Sequence, residues 1–138
     1  MASFETVIPV RFGHVDYAGI MYYPRFFDNF HAVFEDMFGQ RLGVPYMSIL
    51  KERRIGFPMV KIATEFKQPF HFGEPMRLRI ECTRVGTSSI DFLYRAFNGQ
   101  QAEPSVEARA TVVTVDLDSM KPIPTPPDIL AVLRELHD

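Results

Sequence analysis

Residues 11–38, RFGHVDYAGIMYYPRFFDNFHAVFEDMF, set one acid in a glycine-punctuated turn just before an unusually aromatic run. Pro24 suits a first helical turn, because its missing N–H would lack a partner there anyway and its fixed φ is already helical. Behind it Phe26, Phe27, Phe30, Val33, Phe34, Met37 and Phe38 recur at steps of three and four, with Arg25, Asp28, Glu35 and Asp36 between them. That spacing predicts a helix starting at Pro24 and closed by Gly39 in the C′ position. Its apolar residues cover well over half the circumference, so the helix must be wrapped, and a sheet should do the wrapping.

Outward from this helix the chain alternates. Phe4, Thr6, Ile8, Val10 and Phe12 share one face of a predicted strand in which Pro9 marks an edge or a bulge. Tyr46 to Lys51 allows one or two helical turns as a cover. Val60, Ile62, Thr64 and Phe66 align on a second strand before Pro69 and Gly73 break it. Leu78, Ile80 and Cys82, then Ile90, Phe92, Tyr94 and Ala96, read as a hairpin joined through Val85 to Ser89. Val106, Ala108, Ala110 and Val112 begin a fifth strand running to about Leu117, and a proline-rich passage leads into a short helix over 128–136. The connections after the long helix suit antiparallel pairing. An α+β fold is predicted, with an antiparallel five-stranded sheet wrapped around one long central helix. Such a sheet leaves an edge and a face to cover, so a homodimer or a higher symmetric oligomer is expected.

At 138 residues and 46% hydrophobic, the chain has the size of one domain spanning 1–138. Its 15 basic and 17 acidic residues give a net charge of −2, which offers no footprint for nucleic acid or a membrane surface. No apolar run is long enough to span a bilayer. The single Cys82 excludes an internal disulfide and no signal peptide is visible, so the cytoplasm is the expected location.

Asp16 is the leading chemical candidate. Its turn can bring it near the helix start, where unpaired N–H groups and a partial positive charge suit an oxyanion on an ester or thioester. Aspartate is also common in turns and caps, and that role stays open here. His14 would share a face with Asp16 in an extended segment, making a His–Asp pair possible. His31, His71 and Cys82 lack partners at metal-ligand spacing, and neither a serine-hydrolase elbow nor a P-loop occurs. Tyr17, Tyr22, Tyr23, Phe26 and Phe27 either line a flat slot or fill the core around the helix.

The segment Phe12–Pro24, with its aspartate followed by Ala18, Gly19 and an apolar residue before the helix, resembles the signature of the 4-hydroxybenzoyl-CoA thioesterase class of hotdog-fold proteins. Lys67–Glu74 resembles that family's Pro-x-x-x-Gly-Asp turn, and Arg84–Phe92 its Gly-x-x-Ser-x-x-Phe hairpin, so the likeness spans roughly residues 5–117. The resemblance implies a hotdog fold, a homodimer or homotetramer, and an acyl-CoA held at the subunit interface. It gives Asp16 the catalytic carboxylate and the Tyr23 backbone N–H the task of polarising the thioester carbonyl, with His14 as a further catalytic candidate. Gly19, Tyr17 and Tyr22, and at the hairpin Ser88, Ser89 and Arg84, become substrate-binding candidates. No cofactor is implied, since coenzyme A is part of the substrate. Pro24 stands where many short-chain thioesterases of this group carry His, which draws the likeness toward the aromatic-acyl branch. The turn Thr87–Ser88–Ser89 lacks the basic residues that some aromatic-acyl members place near the CoA phosphates. Two other functions fit the same pocket: a hydratase or dehydratase using His14 with Asp16, and a non-catalytic acyl-CoA binder.

Overall fold

A computed structural model describes residues 3–137. β1 (Phe4–Pro9) pairs antiparallel with β4 (Pro75–Val85), and β4 continues through the hairpin into β5 (Ser89–Asn98). β6 (Val106–Val113) follows, and β3 (Met59–Phe66) closes the far side, giving the five-stranded order β1-β4-β5-β6-β3. Pro9 ends an edge strand, where its missing donor breaks no ladder. Phe12 leaves the predicted strand: residues 12–14 form a 3-10 turn, and the Phe12 ring is exposed.

The inner face of the sheet carries Leu78, Ile80, Phe92, Tyr94, Ala108 and Ala110, all buried. α1 (Pro24–Arg41) packs on it, with Phe30 stacked on Tyr94 at 5.0 Å and Phe34 edge-on to Phe92 at 5.6 Å. α1 runs past Gly39, and the left-handed residue that stops it is Gly43, at φ +81°. The extra turn carries Arg41, which donates to the Ser3 carbonyl at 3.0 Å and lies 5.6 Å from the centre of the Phe4 ring. α2 (Tyr46–Lys51) is short, and α3 (Pro127–His137) adds Ile129, Val132, Leu133 and Leu136 to the same core. Among the described residues the α-helices number three, the two short ones falling where the sequence pattern placed a cover and a terminal helix.

The sheet also departs from the sequence reading. β6 stops at Val113, and the chain beyond it joins a second, three-stranded sheet made of β2 (Ile55–Gly56), β7 (Val115–Asp116) and β8 (Lys121–Pro122). At the break, the buried Thr114 hydroxyl shares a 2.8 Å hydrogen bond with Thr125, and the Thr125 N–H donates to the Thr87 carbonyl. In β3 a register shift between Met59 and Lys61 breaks the alternation. Met59, not Val60, consequently lines the inner side with Ile62, and Val60 is exposed. Among the described residues no helix covers the outer face of the sheet: Arg77 and Arg79 lie over Phe97 at 4.5 and 4.8 Å, and Glu81 pairs with Arg95 at 3.0 Å.

Candidate active site

The loop before α1 folds back on itself. The Asp16 N–H donates to the Ile20 carbonyl at 2.9 Å, and the Tyr22 N–H donates to the His14 carbonyl at 2.9 Å, so residues 14 and 22 stand side by side. Gly19 permits the reversal by taking φ +81°, a conformation that strains any residue with a Cβ. The Asp16 carboxylate accepts the Ala18 N–H at 2.9 Å, an Asx-turn contact that fixes its rotamer and leaves its other oxygen open to solvent. Two further contacts dock the loop on the strand connection: the Met21 N–H donates to the Phe70 carbonyl at 2.7 Å, and Ile20 bridges to His71.

Tyr23 occupies the N-cap of α1, and no side chain caps it. Pro24 has no N–H, and the Tyr23 N–H donates to no group among the described residues. Beside this donor lies a cavity of about 260 Å³ bounded by Met21, Tyr23, Phe26, Phe66, Gln68 and Pro69. The rings close on one another edge to face, Phe66 at 6.4 Å from Tyr23 and 5.6 Å from Phe26. A free amide at the positive end of a helix, set against a largely apolar hollow, can polarise a carbonyl placed there. Asn29, buried one turn on, directs its amide at the Met21 sulfur at 3.9 Å.

The remaining candidates are distributed unevenly. His14 lies in the 3-10 turn, not in an extended segment, and its Nδ1 accepts the Arg11 N–H at 3.1 Å. It makes no hydrogen bond to Asp16. Tyr17 is fully exposed, and Tyr22 packs edge-on against Tyr23 at 5.4 Å. At the hairpin, Ser88 donates to the Ile123 carbonyl at 2.7 Å. Arg84 pairs with Asp91 at 2.8 Å and donates to the Ser89 hydroxyl at 2.8 Å. Arg84 and Thr111 together hold the Asp91 carboxyl below its usual range. Among the described residues no cluster of His, Cys, Asp or Glu could hold a metal ion, and no helix is long and apolar enough to cross a membrane.

Phe66 was legible only as an inward strand residue, and its place opposite Tyr23 depends on the pairing of β3 with β6. A second cavity follows along the same seam. It measures about 280 Å³ and is lined by Phe27, Phe30, His31, Met59, Ile62 and Tyr94. Tyr46 stands near its far end, its hydroxyl pushed up to about 12 by burial and by Glu35.

A helix start with a free amide, an acid in the loop before it and an antiparallel sheet against the helix make up the candidate site on a hotdog thioesterase fold. The chain belongs to the thioesterase-like superfamily, whose family model matches residues 10–133. A 1,4-dihydroxy-2-naphthoyl-CoA hydrolase from Thermosynechococcus vestitus is 24% identical over 125 residues, 91% of this chain and 84% of the relative. Among solved structures, a 1,4-dihydroxy-2-naphthoyl-CoA thioesterase from Synechocystis superposes with a TM-score of 0.88 at 19% identity, covering 99% of this chain and 98% of that one. A gentisyl-coenzyme A thioesterase superposes at 0.79 with 24% identity, over 92% of this chain and 99% of the other.

Proposed function

We propose that this single-domain chain is an acyl-CoA thioesterase that hydrolyses aryl acyl-CoA thioesters to the free acid and coenzyme A, in the manner of the 4-hydroxybenzoyl-CoA thioesterase class. The observation that carries the reading is the unpaired Tyr23 N–H beside an aromatic cavity at the start of α1, with Asp16 fixed in the loop that leads there. The superfamily match and the aryl acyl-CoA names of the relatives support it. The Tyr23 N–H donates to the thioester oxygen and stabilises the charge that gathers there. Asp16 either attacks the carbonyl carbon itself, expelling the CoA thiolate and leaving a mixed anhydride that water then hydrolyses to free acid and Asp16, or takes a proton from the water that attacks, the proton passing to the CoA sulfur as the C–S bond breaks. No cofactor enters either route. His14 is engaged by Arg11, which weakens the case for a hydratase built on a His–Asp pair.

In this reading α1 is the central helix, and the site is completed by a second copy. β3 is an edge strand whose Met59, Val60, Ile62 and Phe66 are exposed in one chain, and Ile62 and Phe66 also border the two cavities. An edge of this kind is stabilised by pairing with its twin, giving a homodimer or homotetramer of a cytoplasmic enzyme. Release of free thiol from a panel of aryl and aliphatic acyl-CoAs tests the activity. Hydration would leave the thioester intact, and a binder would release nothing. Sedimentation tests the association, and a compact, active monomer at micromolar concentration would overturn it.

A further inference from the structure

The Tyr94 hydroxyl has no use in the fold. Its ring is sandwiched in the core, 3% exposed and stacked on Phe30, yet its oxygen makes no hydrogen bond with any described residue. Its oxygen is not sealed in: the one enclosed side-chain polar atom without a partner among the described residues is Asn98 Oδ1, so the Tyr94 hydroxyl faces accessible space, where a ligand can meet it. Tyr94 lines the 280 Å³ cavity between α1 and β3 together with Phe27, Phe30, His31, Met59 and Ile62. His31 is engaged through Nδ1 with Glu35 at 3.3 Å. The geometry points to Tyr94 as a specificity-determining residue that hydrogen-bonds an oxygen substituent on the far side of an aryl acyl group. This assignment rests on the thioesterase reading above and deepens it.

Reach decides the class of substrate. From Tyr23 to Phe30 the helix rises about 10 Å at about 1.5 Å per residue, so an acyl carbonyl at the Tyr23 N–H has to extend most of that way to meet Tyr94. A short aliphatic chain stops in the first cavity. One or two flat rings follow the seam between Phe26 and Phe66 and then between Phe30 and Ile62, and a ring hydroxyl at the far end arrives at Tyr94. Burial holds the Tyr94 hydroxyl far above its ordinary pKa, so it remains a proton-bearing donor and acceptor throughout the working range.

The test is binding of non-hydrolysable thioether analogues of aryl acyl-CoA, with and without the ring hydroxyl, measured calorimetrically on the whole protein. Wild type should prefer the hydroxylated analogue by about tenfold or more, and Tyr94→Phe should abolish most of that preference. A third analogue, methylated on the same oxygen, should lose the preference on wild type and needs no variant. Equal binding of the first two analogues by wild type overturns the assignment, as does a preference that survives in Tyr94→Phe. Failure of both analogues to bind overturns it too. If the binding preference holds but no acyl-CoA releases thiol, the pocket assignment stands and the thioesterase reading falls. Thiol release without a hydroxyl preference does the reverse.

Discussion

The loop of residues 14–23 and the hairpin turn of residues 84–89 are both short, polar and near the surface, yet they leave different groups free. In the loop the backbone contacts serve the reversal and its docking on the strand connection, and one oxygen of the Asp16 carboxylate and the Tyr23 N–H remain open. In the hairpin the Arg84 charge and the serine hydroxyls are spent internally. Arg84 is taken by Asp91 and Ser89, Ser88 by the Ile123 carbonyl, and the Thr87 carbonyl by the Thr125 N–H. A group already satisfied inside the fold gains little from a ligand, whereas an unsatisfied donor beside an apolar cavity gains the full difference between that site and water. The contrast separates a site that can do chemistry from a turn that closes a sheet, although both were candidate regions in the sequence.

The comparison breaks most visibly at Asp16. Asp16→Asn preserves shape but can neither attack a carbonyl nor accept a proton, and the Asn oxygen still accepts the Ala18 N–H, so the loop should keep its form. We expect kcat to fall at least about a hundredfold, the low end of a general base's contribution, with fold and association unchanged. Steady-state thiol release measures it. A variant within a small factor of wild type would mean that the open carboxylate is a turn residue and nothing more.

A smaller effect is expected at Tyr94, seen through stability alone. Because the hydroxyl has no partner in the fold, Tyr94→Phe should leave the thermal midpoint of the ligand-free protein unchanged or slightly raised. A clear drop in a melting experiment would show that the hydroxyl is structural. Arg84→Ala comes next. With Arg84 held by Asp91 and Ser89, KM for the best acyl-CoA should move by about threefold or less while kcat stays constant. A rise of tenfold or more in KM alone would return the hairpin to the nucleotide end of the substrate.

How much of this was legible depends on the range over which each signal acts. α1 could be read because steps of three and four over a long segment leave no competing period, and Pro24 marks its start in the sequence as in the structure. Its end was misplaced because two glycines, Gly39 and Gly43, offer the same local signal, and only the contacts of Arg41 with Ser3 and Phe4 favour the later one. The inward face of β5 followed from alternation, but alternation says only that Tyr94 points inward and not that its oxygen lacks a partner. The bulge at Met59–Lys61 has no signature in a run of apolar residues, so Val60 was assigned to the wrong side. Two-residue strands such as β2, β7 and β8 have no period to detect, which is why the second sheet was invisible. At the candidate site, Gly19 advertised the turn, whereas the Phe66 wall requires a pairing between β3 and β6 that no local pattern encodes.

The smallest expected effect sharpens the hairpin side of the contrast through pH. Asp91 accepts from the Arg84 guanidinium at 2.8 Å and from the Thr111 hydroxyl at 2.7 Å, and both contacts lower its pKa beneath the ordinary 3.8. A carboxyl whose folded pKa is depressed contributes stability above its unfolded value and loses it as pH falls through the folded one. The contribution is therefore complete at neutral pH and fades only below about 3.8. Asp91→Asn removes the charge at every pH, so the variant's melting temperature should lie slightly below wild type at neutral pH. The gap should narrow as the solution is acidified past that point, because wild type then becomes protonated at the same oxygen. Parallel melting curves across this range would show the narrowing. A gap of constant width would mean that Arg84 is not held by Asp91, and Arg84 would then be free to meet a phosphate.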